Sequence, residues 1–156
     1  MKGGFLVLMV VICFGAAAVG GMATAAGVGD WYPTLAKPSW NPPGWVFGPV
    51  WSALYLAMAV AAWWVCLKAG SFKNAAVPLS FFAIQLGLNV LWSFVFFAWQ
   101  QPGWAFVEIV VLWLAILVTM VAFFARSRLA GGLIVPYLAW VSFAAFLNWT
   151  IWRLNA

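Results

Sequence analysis

Residues 31–51 read WYPTLAKPSWNPPGWVFGPVW. Five prolines and four tryptophans occupy twenty-one positions, and the stretch separates two long apolar runs. A turn between such runs needs only a few polar residues. Proline fixes φ and narrows the ensemble of the unfolded chain, so this connection is expected to hold one shape. Its tryptophans give that shape a large apolar surface.

The runs on either side set the class of protein. Of 156 residues, 68% are hydrophobic and 6% charged, with a mean hydropathy of +1.08; soluble domains carry roughly a quarter charged residues. Five apolar segments, at about 4–26, 44–68, 75–99, 103–125 and 129–152, meet the roughly 20 residues that a helix needs to cross a bilayer. No alternation of the kind a membrane strand requires is present, so the backbone satisfies itself in lipid as helices. The expected fold is an all-α integral membrane bundle of five transmembrane helices, a single domain over 1–156. KAGSFKN (68–74), QQPG (100–103) and RSR (126–128) are short breaks that make successive helices antiparallel neighbours. Only 27–43 is long.

The first span has a second reading. Lys2, the apolar run from Phe5 to Val19 and Ala23-Thr24-Ala25 also fit a cleavable secretory signal. Against it, Ala17, Gly21 and Ala25 are small residues at helical spacing, suited to close packing on another membrane helix. With five spans, Lys2, Lys68, Lys73, Arg126 and Arg128 share one side with no acid. Lys37 and Arg153 share the other with Asp30 and Glu108. The positive-inside rule then places the N-terminus in the cytoplasm. The net charge of +5 reads as topology and not as nucleic-acid binding.

Histidine is absent, which excludes imidazole-ligated haem, a histidine-based triad and the common zinc sites. Cys13 and Cys66 are expected at depths about 10 Å apart, too far for a disulfide, which needs Cα atoms within about 7 Å. The only acids, Asp30 and Glu108, are expected near one surface, with Glu108 placed to pair with Arg153. No nucleophile–base pair, carboxylate pair or phosphate loop is visible, so no catalytic residue, metal or cofactor is assigned.

Thirteen tryptophans exceed what interfacial belts absorb. Helix 3 carries Gln85, Asn89 and Trp92 on one face, helix 2 carries Trp51, Tyr55 and Met58, and helix 5 carries Trp140, Ala144 and Asn148. Trp113 lies near the middle of helix 4. Counted from the helix centres, these groups lie at the midplane or on the side of the Trp/Pro connection. Taken singly, each amide is as well explained as an interhelical hydrogen bond contributing about 0.6–2 kcal/mol. Together they describe a mostly apolar, aromatic pocket with a few orienting polar groups, able to stack flat ligands on indoles.

WY-x-x-L-x-KP-x-W-x-PP-x-WVF-x-x-x-W-x-x-x-Y at 31–55 resembles the signature of the tryptophan-rich sensory protein/translocator protein family, also called the peripheral-type benzodiazepine receptor or TspO/MBR family. QLGLNVLWS at 85–93, VPYLAW at 135–140 and WRLN at 152–155 extend the resemblance along the chain. It implies a five-helix bundle, commonly a homodimer, with a pocket beneath the first connection that binds porphyrins, sterols and benzodiazepine-type drugs. By position it implies that Trp51, Asn89, Trp113, Trp140, Ala144 and Leu147 line the pocket, and that Trp31 and Trp40 cap it. Animal members carry a proposed cholesterol motif at the end of helix 5. Here Leu147, Trp149 and Arg153 occupy it, with Trp149 at the tyrosine position, which weakens the expectation of specific sterol binding.

The expected function is thus a membrane receptor or translocator for protoporphyrin IX and other hydrophobic ligands, acting in tetrapyrrole regulation or transport. Two alternatives remain open on the sequence. One is light-dependent porphyrin degradation, with indoles as redox-active groups. The other is a small-molecule transporter without ion coupling, since no ionisable relay crosses the midplane. The N-terminus lacks transit-peptide character, which suggests a bacterial source.

Overall fold

The computed structural model describes residues 2–156; Met1 and the side chain of Lys2 lie outside that description. Five helices follow one another: α1 (Lys2–Val28), α2 (Gly44–Ala69), α3 (Phe72–Ser93), α4 (Pro102–Phe124) and α5 (Arg128–Asn155). All five are long and apolar enough to span a membrane. Their bounds match the expected spans within a few residues, except that α3 changes character after Ser93. There the chain continues as a single π turn over Phe94–Ala98.

The breaks have local causes. Gly70 ends α2 in the left-handed conformation at φ 74°, with its N–H donating to the Cys66 and Leu67 carbonyls, the usual glycine stop. Ser71 and Ser127 open α3 and α5 by accepting the N–H of Asn74 and Ala130, as N-caps do. Pro102 opens α4 in the first turn, where its missing N–H costs nothing. The Pro42-Pro43 pair closes the connection just ahead of α2: Pro43 is the N-cap and Gly44 the first helical residue. Pro49 lies inside α2.

The core runs along the bundle axis through Met58, Ala62, Val65, Phe82, Ile109, Ile116, Phe123, Ile134 and Tyr137, all buried. Alanines at 59, 61 and 62 of α2 let the neighbouring backbones come close. The α1 face that packs matches the expected one only in part: Ala17 is half-buried against the core. Gly21 and Ala25 are exposed, whereas Met9, Cys13, Gly20, Ala23 and Gly27 are buried. The period of 3.6 explains the correction: positions four apart drift around the helix, while alternating steps of three and four stay on one face. At Gly27 the approach is closest, and a Cβ there would overlap the Phe97 carbonyl oxygen in the π turn. Cys13 and Cys66 are both free thiols.

Candidate functional site

The connection between α1 and α2 is braced by hydrogen bonds as well as by proline. A short 3-10 helix at Tyr32–Thr34 leaves carbonyls at its end. The Lys37 ammonium donates to the Tyr32 carbonyl at 2.7 Å and the Leu35 carbonyl at 2.8 Å, and lies 4.7 Å over the Tyr32 ring. The Tyr32 hydroxyl donates to Asn41 Oδ1 at 3.2 Å. Burial raises the Tyr32 phenol above its ordinary pKa, with the Asn41 bond opposing. The connection is also tied to the far end of the chain, because the Asn155 amide bonds both backbone groups of Ala36.

Trp31 and Trp40, both assigned to the cap, lie on different supports. Trp31 packs edge-on to Phe96 in the π turn, with centroids 5.6 Å apart. Trp40 stacks on Phe146 of α5 at 5.2 Å and 12°, and meets Phe143 at 5.9 Å. Beneath Trp40 the aromatic contacts continue. Phe143 touches Trp140, Trp140 meets Phe47 of α2 edge-on, and Trp51 contacts both Tyr55 and Tyr137. Phe47, Trp51, Trp140, Phe143 and Ala144 are all half-buried, part core and part surface. The Trp140 indole N–H is buried and has no hydrogen-bond partner.

The amides on the same helices are bonded to one another or to the backbone. Tyr55 Oη donates to Asn89 Oδ1 at 2.7 Å, Asn89 Nδ2 donates to Tyr137 Oη at 2.7 Å, and Tyr137 Oη donates to Gln85 Oε1 at 2.8 Å. Gln85 Nε2 ends the chain on Met58 Sδ at 3.7 Å. One directed relay therefore joins α2, α3 and α5 in the buried core, where each member has a partner. A second junction lies nearer the connection. Trp92 Nε1 donates to Asn148 Oδ1 at 3.0 Å, and Asn148 Nδ2 donates to the Pro102 carbonyl at 2.8 Å, tying α3, α5 and the start of α4.

The remaining sequence-assigned residues are dispersed. Trp113 donates to Ser142 Oγ at 2.7 Å across the α4–α5 seam. Leu147 is buried in a cluster with Val95, Phe96, Ala105 and Ile151. Trp149 stacks on Phe146 and Arg153 is exposed. Glu108 does not pair with Arg153: both of its carboxyl oxygens are buried without a hydrogen-bond partner. The expected pairing rested on both residues being on one side of the bundle, which does not fix the direction of a side chain around a helix.

Sequence reasoning missed Phe47, Tyr137, Phe143 and Phe146 as members of this region. Tyr137 carried a signal, since it lies three residues before Trp140 on the same helix face. The phenylalanines carried none, being indistinguishable from lipid-facing residues in so apolar a chain.

A five-helix membrane bundle, with a rigid Trp/Pro connection laid over an aromatic group between α2 and α5, defines a class of helical membrane protein. The chain belongs to the TspO/MBR family, whose profile matches residues 9–153. It is 46% identical over 151 residues to the tryptophan-rich protein TspO of Chlorobaculum tepidum, covering 96% of this chain and 95% of that protein. It is 45% identical over 126 residues to the human translocator protein, covering 80% and 75%. With protein CrtK of Rhodobacter capsulatus the identity is 37% over 150 residues, covering 96% and 94%.

Proposed function

We propose that the chain binds a flat, hydrophobic ligand of the porphyrin class, protoporphyrin IX foremost, in the aromatic group formed by Phe47, Trp51, Trp140 and Phe143. Trp40 is its roof and Ala144 the small residue that leaves room on α5. The observation that carries this reading is the Trp140 indole N–H. It is buried and unpartnered among aromatic rings, a state that costs about 1–3 kcal/mol. A ligand that stacks on these rings and offers an acceptor to that N–H removes the cost. The Tyr55–Asn89–Tyr137–Gln85 relay acts as the frame that fixes Trp51 and α5.

On this reading the protein is a receptor or translocator that senses or moves tetrapyrroles, with the homodimer as its working form and the N-terminus in the cytoplasm. Sterols and benzodiazepine-type drugs are secondary ligands of the same group. Trp149 and Arg153 offer an aromatic and a basic group for a sterol at the end of α5.

Quenching of intrinsic tryptophan fluorescence by protoporphyrin IX tests the site. Saturable quenching is expected in the wild type and is lost in the double variant Trp51→Phe/Trp140→Phe. Equal affinity in both proteins would place binding elsewhere. Protein-dependent loss of the porphyrin Soret band under light, absent in the dark, would instead favour degradation.

A further inference from the structure

Glu108 is the single acid within the membrane-spanning helices of the described residues. It lies six residues into α4, about 9 Å below the start of that helix. Such a residue in a bilayer asks for a partner, and none of the described residues provides a hydrogen bond to it. The residue is half-buried, yet both oxygens are covered and unbonded. Its side chain borders a groove of about 400 Å³ between the end of α3 and the first turns of α4. Val95, Trp99, Gln101, Trp104 and Val107 complete the walls.

The groove opens away from the bundle. Trp99 is 58% exposed and Trp104 69% exposed, at helix ends where indoles sit at the level of lipid headgroups. Neither tryptophan belongs to the aromatic group beneath Trp40. An apolar slot entered from the side, rimmed by two indoles and backed by one carboxyl, has the chemistry of a site for an amphiphile with a cationic head.

We propose that this groove binds a membrane lipid through a primary ammonium headgroup, as in phosphatidylethanolamine. The ammonium bonds the Glu108 carboxyl, the indoles of Trp99 and Trp104 flank the positive charge, and an acyl chain follows Val95 and Val107. Binding requires the carboxyl to turn from its covered position toward the groove. A primary ammonium has three donors for the two carboxylate oxygens, and indole faces attract cations. A quaternary headgroup can use the indoles but has no donor for Glu108. That difference separates phosphatidylethanolamine from phosphatidylcholine.

The test uses the full chain in detergent, with lipid adducts counted by native mass spectrometry. Dioleoyl phosphatidylethanolamine, its N-methyl and N,N-dimethyl forms, and dioleoyl phosphatidylcholine are compared. Phosphatidylethanolamine is expected to bind about tenfold more tightly than phosphatidylcholine, with affinity falling as methyl groups replace donors. Glu108→Gln, similar in shape, abolishes the preference. Trp99→Leu/Trp104→Leu weakens both lipids while preserving their order. Equal binding of the two lipids by the wild type, or an undiminished preference in Glu108→Gln, overturns the proposal. Thermal melting of each variant distinguishes loss of the site from loss of the fold.

Discussion

The side-chain amide of Asn155 holds the backbone of Ala36 at two points. The Ala36 N–H donates to Asn155 Oδ1 at 2.9 Å, and Asn155 Nδ2 donates to the Ala36 carbonyl at 2.9 Å. Nδ2 also reaches the Ile151 carbonyl one turn earlier in α5, at 2.7 Å. The pair copies the bonding of a short strand pairing and fastens the Trp/Pro connection to the last turn of the final helix.

Asn155→Ala removes this fastening. The freed backbone groups are near water and regain partners there, so the stability cost is modest, about 1 kcal/mol. The local effect is larger. Amide hydrogen exchange at residues 35–41 is expected to accelerate, while the helices keep their protection. Unchanged exchange in that segment would show that Lys37 and the prolines suffice.

Tyr137 and Tyr55 occupy unequal places in the polar relay. Tyr137→Phe strips a partner from both Asn89 Nδ2 and Gln85 Oε1, and two orphaned buried groups cost about 2–6 kcal/mol. Tyr55→Phe strips only Asn89 Oδ1, at about 1–3 kcal/mol. Melting temperatures in detergent should therefore fall further for Tyr137→Phe. The reverse order would contradict the relay as described.

Gly27 and Gly21 provide a matched pair on α1. A methyl group at position 27 meets the Phe97 carbonyl in the π turn, whereas at position 21 it meets nothing within 4 Å. Gly27→Ala is expected to destabilise by about 1–3 kcal/mol through overpacking, and to shift the π turn. Gly21→Ala should be neutral or slightly stabilising, since alanine is the better helix former. Thermal melts of the two variants decide the face on which α1 packs.

Trp40 and Trp31 separate binding from support. Trp40 lies over the α5 rings Phe143 and Phe146, and Trp31 over Phe96. Trp40→Ala is expected to weaken protoporphyrin IX binding about five- to tenfold, the order of one lost aromatic contact with its burial. Trp31→Ala should lower the melting temperature and leave affinity within about twofold. Equal losses of affinity would mean that the whole connection, and not Trp40 alone, roofs the ligand.

Composition alone determined the solvent of this chain, and with it the secondary structure. At 6% charge there is no soluble core to build, and lipid admits only closed backbone hydrogen bonding. The five spans, their short antiparallel links and the stiffness of residues 31–51 follow from residue order, because hydrophobic length and proline act locally. The shared face of Gln85, Asn89 and Trp92 on α3 was legible for the same reason: the helical period fixes which positions share a face.

Only the tertiary structure decided where those faces meet and what each polar group finds there. Tyr137 completed a relay that turned Gln85 and Asn89 into bonded members of the frame. The α1 face shifted from Gly21 and Ala25 to Gly20, Ala23 and Gly27. The Glu108 carboxyl was left covered without Arg153, and the Trp140 N–H stayed unpaired while the Trp92 N–H found Asn148. Helix rotation sets all four outcomes. In a chain apolar on nearly every face, no amphipathic stripe tells each helix which side to turn inward, so packing of small residues and the pairing of a few polar atoms fix the rotation instead.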